Sequence, residues 1–214
     1  MTTSKPADRA AAARWEQRYR NQGLATPDGW LPGWQARLPA PGAALDLGCG
    51  DGGETELLAA WGWAVTAVDL SAQALERSQR RTPAARHLRL DLRDLGPLRT
   101  GEFDLVVAHL SLHYFDHADS RKAWQEAARV LRPGGLLLGC VNADDDWHYG
   151  APPDSSGWAP VLVDGVPKQF FDRAKLLALF DTPHWTLLQL DKSRTERYGA
   201  PKSCWEFLAR RETA

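Results

Sequence analysis

At 214 residues the chain is long enough for one well-buried domain and short for two. Its 26 basic and 27 acidic side chains leave a net charge of -1, so no strongly basic field points to a nucleic-acid backbone. Three cysteines, Cys49, Cys140 and Cys204, lack C-x-x-C spacing, which argues against a structural zinc site and a disulfide-stapled secreted domain.

The N-terminal stretch MTTSKPADRAAAARWEQRYR is polar and lacks the apolar core of a signal peptide. No apolar run reaches the roughly 18 residues of a membrane span. The expectation is a soluble, cytoplasmic chain forming a single domain over 1–214 that spans no membrane.

In chain order, residues 8–22 read as an Ala- and Arg-rich helix, followed by the Gly/Pro-punctuated stretch GLATPDGWLPGW. AALDL is a short β-like run, and ETELLAAWG after the glycines has helical spacing. AVTAVDL alternates as a strand, and Ser71 caps the helix SAQALERSQRR. HLRLDL (87–92), FDLVVAHL (103–110) and GLLLGCVN (135–142) read as further strands. SRKAWQEAARVL (120–131) is an amphipathic helix stopped by Arg132-Pro133-Gly134-Gly135.

Strands alternating with helices predict an α/β fold with a doubly wound, mostly parallel sheet covered on both faces. FFDRAKLLALF is helical, while HWTLLQLDKS and KSCWEFLARR read as two strands without an intervening helix, an antiparallel C-terminal hairpin. Residues 143–169, rich in Asp, Gly, Pro and Ser, form a long irregular connection of the kind that often serves as a lid. The expected partition is an N-terminal helical cap (8–38), a core (40–142), this lid-like insertion (143–169) and a C-terminal helix with hairpin (170–214).

Residues 45–53, LDLGCGDGG, contain G-x-G-x-x-G between a strand and a helix, and Asp69 follows 21 residues after Gly48. A carboxylate there can accept two hydrogen bonds from ribose hydroxyls, so the ligand is expected to contain adenosine. NAD would set a pyrophosphate on the turn, opposed by Asp46, Asp51 and Glu54. A like-charge pair at ~6 Å costs roughly 2–3 kcal/mol at an effective dielectric near 20. S-adenosylmethionine carries a sulfonium and an ammonium instead, and the turn amides would receive its carboxylate. The charge pattern favours the sulfonium ligand.

LDLGCGDGG, VTAVDLS, LRLDLRDL, FDLVVAHLSLHYF and ARVLRPGGLLL, in this order, resemble the successive motifs of class I S-adenosylmethionine-dependent methyltransferases over residues 40–142. The resemblance implies a seven-stranded Rossmann-like methyltransferase fold. It also implies that Asp46, Gly48 and Gly50 hold the methionine part, with Cys49 as a small filler among the glycines. Asp69 would hold the ribose with Leu70 beside the adenine, Asp91 and Leu92 would meet the adenine amino group, and His109 would line the floor. The segment Trp15-Glu16-Gln17-Arg18-Tyr19, with SLHYF and the K-S-x-W-E-F tail, is similar to small-molecule methyltransferases of the tellurite-resistance and thiopurine type. There an N-terminal helix caps the cofactor, so Arg18 or Tyr19 would meet its methionine end.

Methyl transfer rests largely on holding acceptor and methyl at attack distance, with a base needed only where the acceptor must lose a proton early. His113 and Tyr114 are the candidates for that base or for positioning the acceptor. His109, His113 and His117, spaced by four, also allow a metal face, although the segment starts in a strand, so no metal is expected. Trp147, His148 and Tyr149 are further candidates for contacting the acceptor, and Asp144-Asp145-Asp146 for a cation or a cationic acceptor. The [D/N]-P-P-[Y/F] element of amino-methylating nucleic-acid enzymes, a Pro-Cys pair and a paired-glutamate hairpin are absent, leaving a small-molecule acceptor. The alternatives are an NAD-dependent oxidoreductase using the same loop and a non-catalytic cofactor-binding protein.

Overall fold

A computed structural model describes residues 6–21, 29–197 and 199–213. Apolar runs separated by glycine turns become β1 (Ala43–Leu47), β2 (Ala64–Asp69), β3 (Arg86–Arg89), β4 (Phe103–His109) and β5 (Leu131–Asn142), which pair with one another in parallel. Further along lie the short strands β6 (Val161–Val163) and β7 (Val166–Lys168), then the long β8 (Trp185–Arg197) and β9 (Ala200–Arg211). The sheet order is β3-β2-β1-β4-β5-β9-β8, and β9 runs antiparallel to both β5 and β8. This is the Rossmann-like methyltransferase fold expected from the sequence.

Alternation along β4 divides the core. Leu105 and Val107 pack into one apolar cluster with Leu58, Trp34 and Val65, while Val106 and Ala108 join another with Trp124, Leu176 and Phe207. Helices α2 (Gly53–Ala60) and α3 (Ala72–Arg81) therefore cover one face, and α4 (His117–Val130) and α5 (Arg173–Phe180) the other. Two buried faces account for strands that read as nearly continuous apolar runs.

The N-terminal helix α1 (Pro6–Asn21) lies against α3 and is fastened there by Glu16. The Glu16 carboxylate accepts from the backbone N–H of Ala72 (2.7 Å) and Gln73 (3.1 Å) and from the Ser71 hydroxyl (3.2 Å). It satisfies first-turn donors that α3 itself leaves open. Ser71 also caps α3 as expected, accepting from Ala74 N–H at 3.2 Å.

The structure departs from the sequence expectations in four places. Helix α4 begins at His117, three residues early, because Asp116 caps it by accepting from Asp119 N–H. Strand β3 ends at Arg89, since Asp91 and Asp94 pair across a tight turn. A 3-10 helix, Leu31–Arg37, occupies the second half of the expected Gly/Pro loop; residues 22–28 of that stretch lie outside the described residues. The 143–169 connection is not irregular throughout, for it holds a 3-10 turn at Trp147–Tyr149 and the hairpin β6–β7. Asp164 and Gly165 turn that hairpin with φ of 51° and 74°, the positive pair that a two-residue hairpin loop requires.

Candidate active site

A cleft of about 500 Å³ opens beyond the carboxyl ends of β1, β2 and β4, where the strand order reverses. Gly48, Cys49, Gly50, Asp69, Leu70, Asp91, Leu92, His109, His113 and Tyr114 line it, together with Arg18 and Tyr19 of α1. Residues far apart in sequence are thus brought together in one cleft.

Asp46 is the exception. It does not line the cleft but lies buried beneath the turn, accepting from the Thr55 hydroxyl at 2.6 Å. Burial, followed by the nearby Glu54 charge, raises its carboxyl to about 8, so near neutrality it is largely protonated. Its position on a strand buried on both faces explains the difference.

The glycine turn is closed on itself. Gly48 N–H and Cys49 N–H both donate to Val68 O (2.9 Å each), and Gly52 N–H to Cys49 O (2.9 Å). Gly50 N–H donates to Asp69 Oδ2 at 3.0 Å, and Ser71 N–H to Asp69 Oδ1 at 2.8 Å. The amides of Gly48, Cys49, Gly50 and Gly52 therefore have partners within the protein, contrary to the expectation that turn amides receive the cofactor's carboxylate. Asp69 keeps acceptor capacity on both oxygens. Burial pushes its carboxyl up, against the backbone N–H bonds that favour the charged form. Cys49 is buried, and burial with Asp46 and Asp69 nearby pushes its thiol well up, in keeping with a filler.

The loop acids are also more neutralised than the sequence implies. Glu54 Oε1 lies 2.7 Å from His109 Nδ1; burial opposes its charge, but His109 holds the carboxyl below its ordinary value. Asp51 lies 3.7 Å from Arg81. The His109 ring stacks on Trp30, centroids 4.4 Å apart and planes 9° apart, which fixes it in the floor. Asp91 is gripped by Arg93 at 2.6 Å, which also holds Asp119 at 2.6 Å.

Two elements roof the cleft. Tyr19 sits over Gly50, and Arg14 of α1 donates to Gly165 O at 3.0 Å, joining the helix to the β6–β7 turn. Burial and the Asp69 charge push the Tyr19 phenol well above its usual value, keeping it neutral. The cleft is also lined by Lys168 of β7, Arg197 at the end of β8 and Lys202 of β9. The sequence reading singled out neither Lys168 nor Arg197, and Lys202 only as the first residue of the K-S-x-W-E-F tail. The Asp164-Gly165 turn signal could have revealed the hairpin that carries Lys168.

The three histidines diverge. His109 meets Glu54, His113 faces the cleft, and His117 stacks on Trp158 at 4.1 Å. Among the described residues no group of three or more His, Cys, Asp or Glu is placed to hold a metal. Burial, then the charges of Lys202, Lys168 and Arg197, keep the His113 imidazole well below its ordinary value and hence neutral.

The aspartate run serves as a clamp. Asp144 pairs with Lys192 (2.7 Å), Asp145 with Arg194 (3.1 Å) and the Ser203 hydroxyl (2.6 Å), and Asp146 with Lys202. A cation is not what these acids await; they tie the 143–169 segment to the β8–β9 hairpin. Tyr149 reaches the cleft and donates to Arg197 O, whereas Trp147 is 72% exposed and neither it nor His148 lines the cleft.

Fold and cleft together have the Rossmann-like architecture of methyltransferases. Residues 45–139 match the family model described as a methyltransferase domain. The chain is 42% identical over 143 residues to a malonyl-[acyl-carrier protein] O-methyltransferase of Enterobacter lignolyticus, covering 66% of this chain and 54% of that protein. It is 39% identical over 106 residues to the trans-aconitate 2-methyltransferase of Paracidovorax citrulli, covering 48% and 40%. The chain thus spans about half the length of the curated relatives it matches. Its fold superposes with TM-score 0.74 on the Burkholderia thailandensis 1,6-didemethyltoxoflavin-N1-methyltransferase, solved with 1,6-didemethyltoxoflavin and S-adenosylhomocysteine. That likeness covers 100% of this chain and 93% of the other at 21% identity.

Proposed function

We propose that the chain is an S-adenosylmethionine-dependent methyltransferase acting on a small-molecule acceptor. The observation that carries this reading is the self-bonded glycine turn beside an open carboxylate. A pyrophosphate would find the amides of Gly48, Cys49, Gly50 and Gly52 already bonded, which removes the donors it would need. A ribose diol would find in Asp69 an acceptor held rigid by two backbone N–H groups. That pattern fits S-adenosylmethionine and disfavours NAD. The reading no longer rests on Asp46, Asp51 and Glu54, because the fold protonates the first and pairs the other two.

The residues fit the group as follows. Asp69 would hold the ribose; Leu70 and Leu92 would flank the adenine, with Asp91 at its edge; Arg18 would meet the methionine carboxylate under the cover of Tyr19. When bound, S-adenosylmethionine supplies a methyl group activated by its sulfonium. His113, buried and neutral, orients the acceptor and accepts its proton where the acceptor has one to lose. Tyr114 stands against it, ring centroids 4.3 Å apart, and its other side meets the Trp15 edge at 4.7 Å. That N-terminal cover, Trp15 to Tyr19, supports placement near the tellurite-resistance and thiopurine enzymes. The relatives named for trans-aconitate and 1,6-didemethyltoxoflavin favour a small acceptor. Among the described residues no helix is long and apolar enough to cross a membrane.

Parallel calorimetric titrations with S-adenosylmethionine, S-adenosylhomocysteine and NADH test the reading. Micromolar binding of the two sulfur compounds and none of NADH is expected. Binding of NADH alone would overturn it.

A further inference from the structure

The cationic part of the cleft lining carries the more informative chemistry. Lys168 has no hydrogen bond or ion pair with any described residue, yet it is half-buried and lines the cleft. Desolvation depresses its ammonium, with Lys202 and Arg18 adding to the effect and Asp164 and Asp146 opposing it. Arg197 lines the same wall. Lys202 has its charge taken up by Asp146 and also donates to Asn142 Oδ1 at 2.7 Å. That bond turns the Asn142 amide so that its Nδ2, buried at the cleft, is left without a partner among the described residues. His113 Nδ1, also buried, has none either.

Stability alone does not favour such a wall. Like charges held close in a part-buried site repel, and an unsatisfied buried donor costs roughly 1–3 kcal/mol. Both penalties are relieved by one event, the arrival of an anion. A carboxylate or phosphate at Lys168 would offset its charge and accept from Asn142 Nδ2.

We infer that the methyl acceptor is an acid, whose carboxylate or phosphate is seated by Lys168 with Asn142 as a second donor. The inference rests on the methyltransferase reading only for the word acceptor. The cofactor's own carboxylate is the competing occupant, and Arg18, next to the glycine turn through its neighbour Tyr19, is better placed for it.

The test is calorimetric, on protein saturated with S-adenosylhomocysteine, using succinate against succinamide, benzoate against benzamide, and phenyl phosphate. At least one anion should bind about 10-fold tighter than its neutral counterpart, and the carboxylates or the phosphate that binds identifies the group. Lys168→Gln should weaken that anion about 10-fold or more and leave S-adenosylhomocysteine affinity unchanged, while Lys168→Arg retains the anion. Lys168 lies on a peripheral hairpin, so both variants should fold. Equal binding of acids and amides overturns the inference. So does a loss of S-adenosylhomocysteine affinity in Lys168→Gln, which would give Lys168 to the cofactor. Failure to bind S-adenosylhomocysteine at all would sink the methyltransferase reading instead, and the same titrations without it would still test the wall.

Discussion

The Tyr19 hydroxyl occupies the space a side chain on Gly50 would need: a Cβ built there would lie 2.6 Å from that oxygen. Gly50 also has φ of +54°, so two independent constraints keep this position bare. The contact closes the N-terminal helix over the turn.

Gly50→Ala should accordingly push α1 off the turn and weaken S-adenosylhomocysteine binding about 10-fold or more, read by calorimetry. Making room with Tyr19→Ala should recover part of that loss in the double variant. Strict additivity would mean that the two residues do not compete for the same space.

Asp69 does two jobs, bracing the Gly50 and Ser71 amides and facing the cleft. Asp69→Ala should lower S-adenosylhomocysteine affinity 10- to 100-fold, from the loss of charge-assisted bonds worth roughly 1.5–3 kcal/mol, and should also lower the melting temperature. Unchanged affinity would remove Asp69 from the ribose site.

His113→Gln should lower kcat while leaving S-adenosylhomocysteine affinity alone, if the imidazole serves the acceptor and not the cofactor. Because the fold keeps the ring neutral, the wild-type rate should show no His113 inflection near its ordinary pKa of about 6.5. Parallel losses of rate and cofactor affinity would reject the assignment.

Asp46 makes stability depend on pH with a definite sign. Its folded-state carboxyl titrates near 8 and its unfolded one near 3.8, so in between the folded state binds more protons and stability falls as pH rises. Asp46→Asn, which keeps an acceptor for Thr55, should flatten that slope. Urea unfolding at pH 5 and pH 8 should show the variant gaining on wild type at the higher pH. An identical slope in both proteins would mean that Asp46 is ionised in the fold.

The aspartate clamp predicts unequal effects from neighbouring residues. Lys202 and Asp146 side chains are 5% and 0% exposed, Lys192 and Asp144 30% and 35%. Asp146→Ala strands a buried ammonium and should cost about 3–5 kcal/mol in urea unfolding. Asp144→Ala breaks a solvent-screened pair and should cost less than about 1 kcal/mol. Equal losses would show the clamp acting as one unit.

The strands of the core were legible because two-faced burial leaves an unbroken apolar run, and the cleft was legible because its glycines and Asp69 lie where strands end. The short hairpin β6–β7 was missed since three-residue strands carry no period, though Asp164-Gly165 marks its turn. The clamp was invisible for another reason. Lys202 and Asp146 are 56 positions apart, and no local pattern records which acid meets which base. Asp46 was misplaced because a motif reports neighbourhood, whereas burial depends on both faces of the strand.

The segregation of the cleft has an evolutionary reading. Asp69, Asp91 and His109, on the side proposed for the cofactor, come from strand ends before residue 110, while Lys168, Arg197 and Lys202 come from two hairpins after residue 160. Those hairpins can lengthen, shorten or exchange charges without disturbing the parallel core. Selection can therefore change this part of the cleft by editing about the last quarter of the chain, with the parallel core left intact.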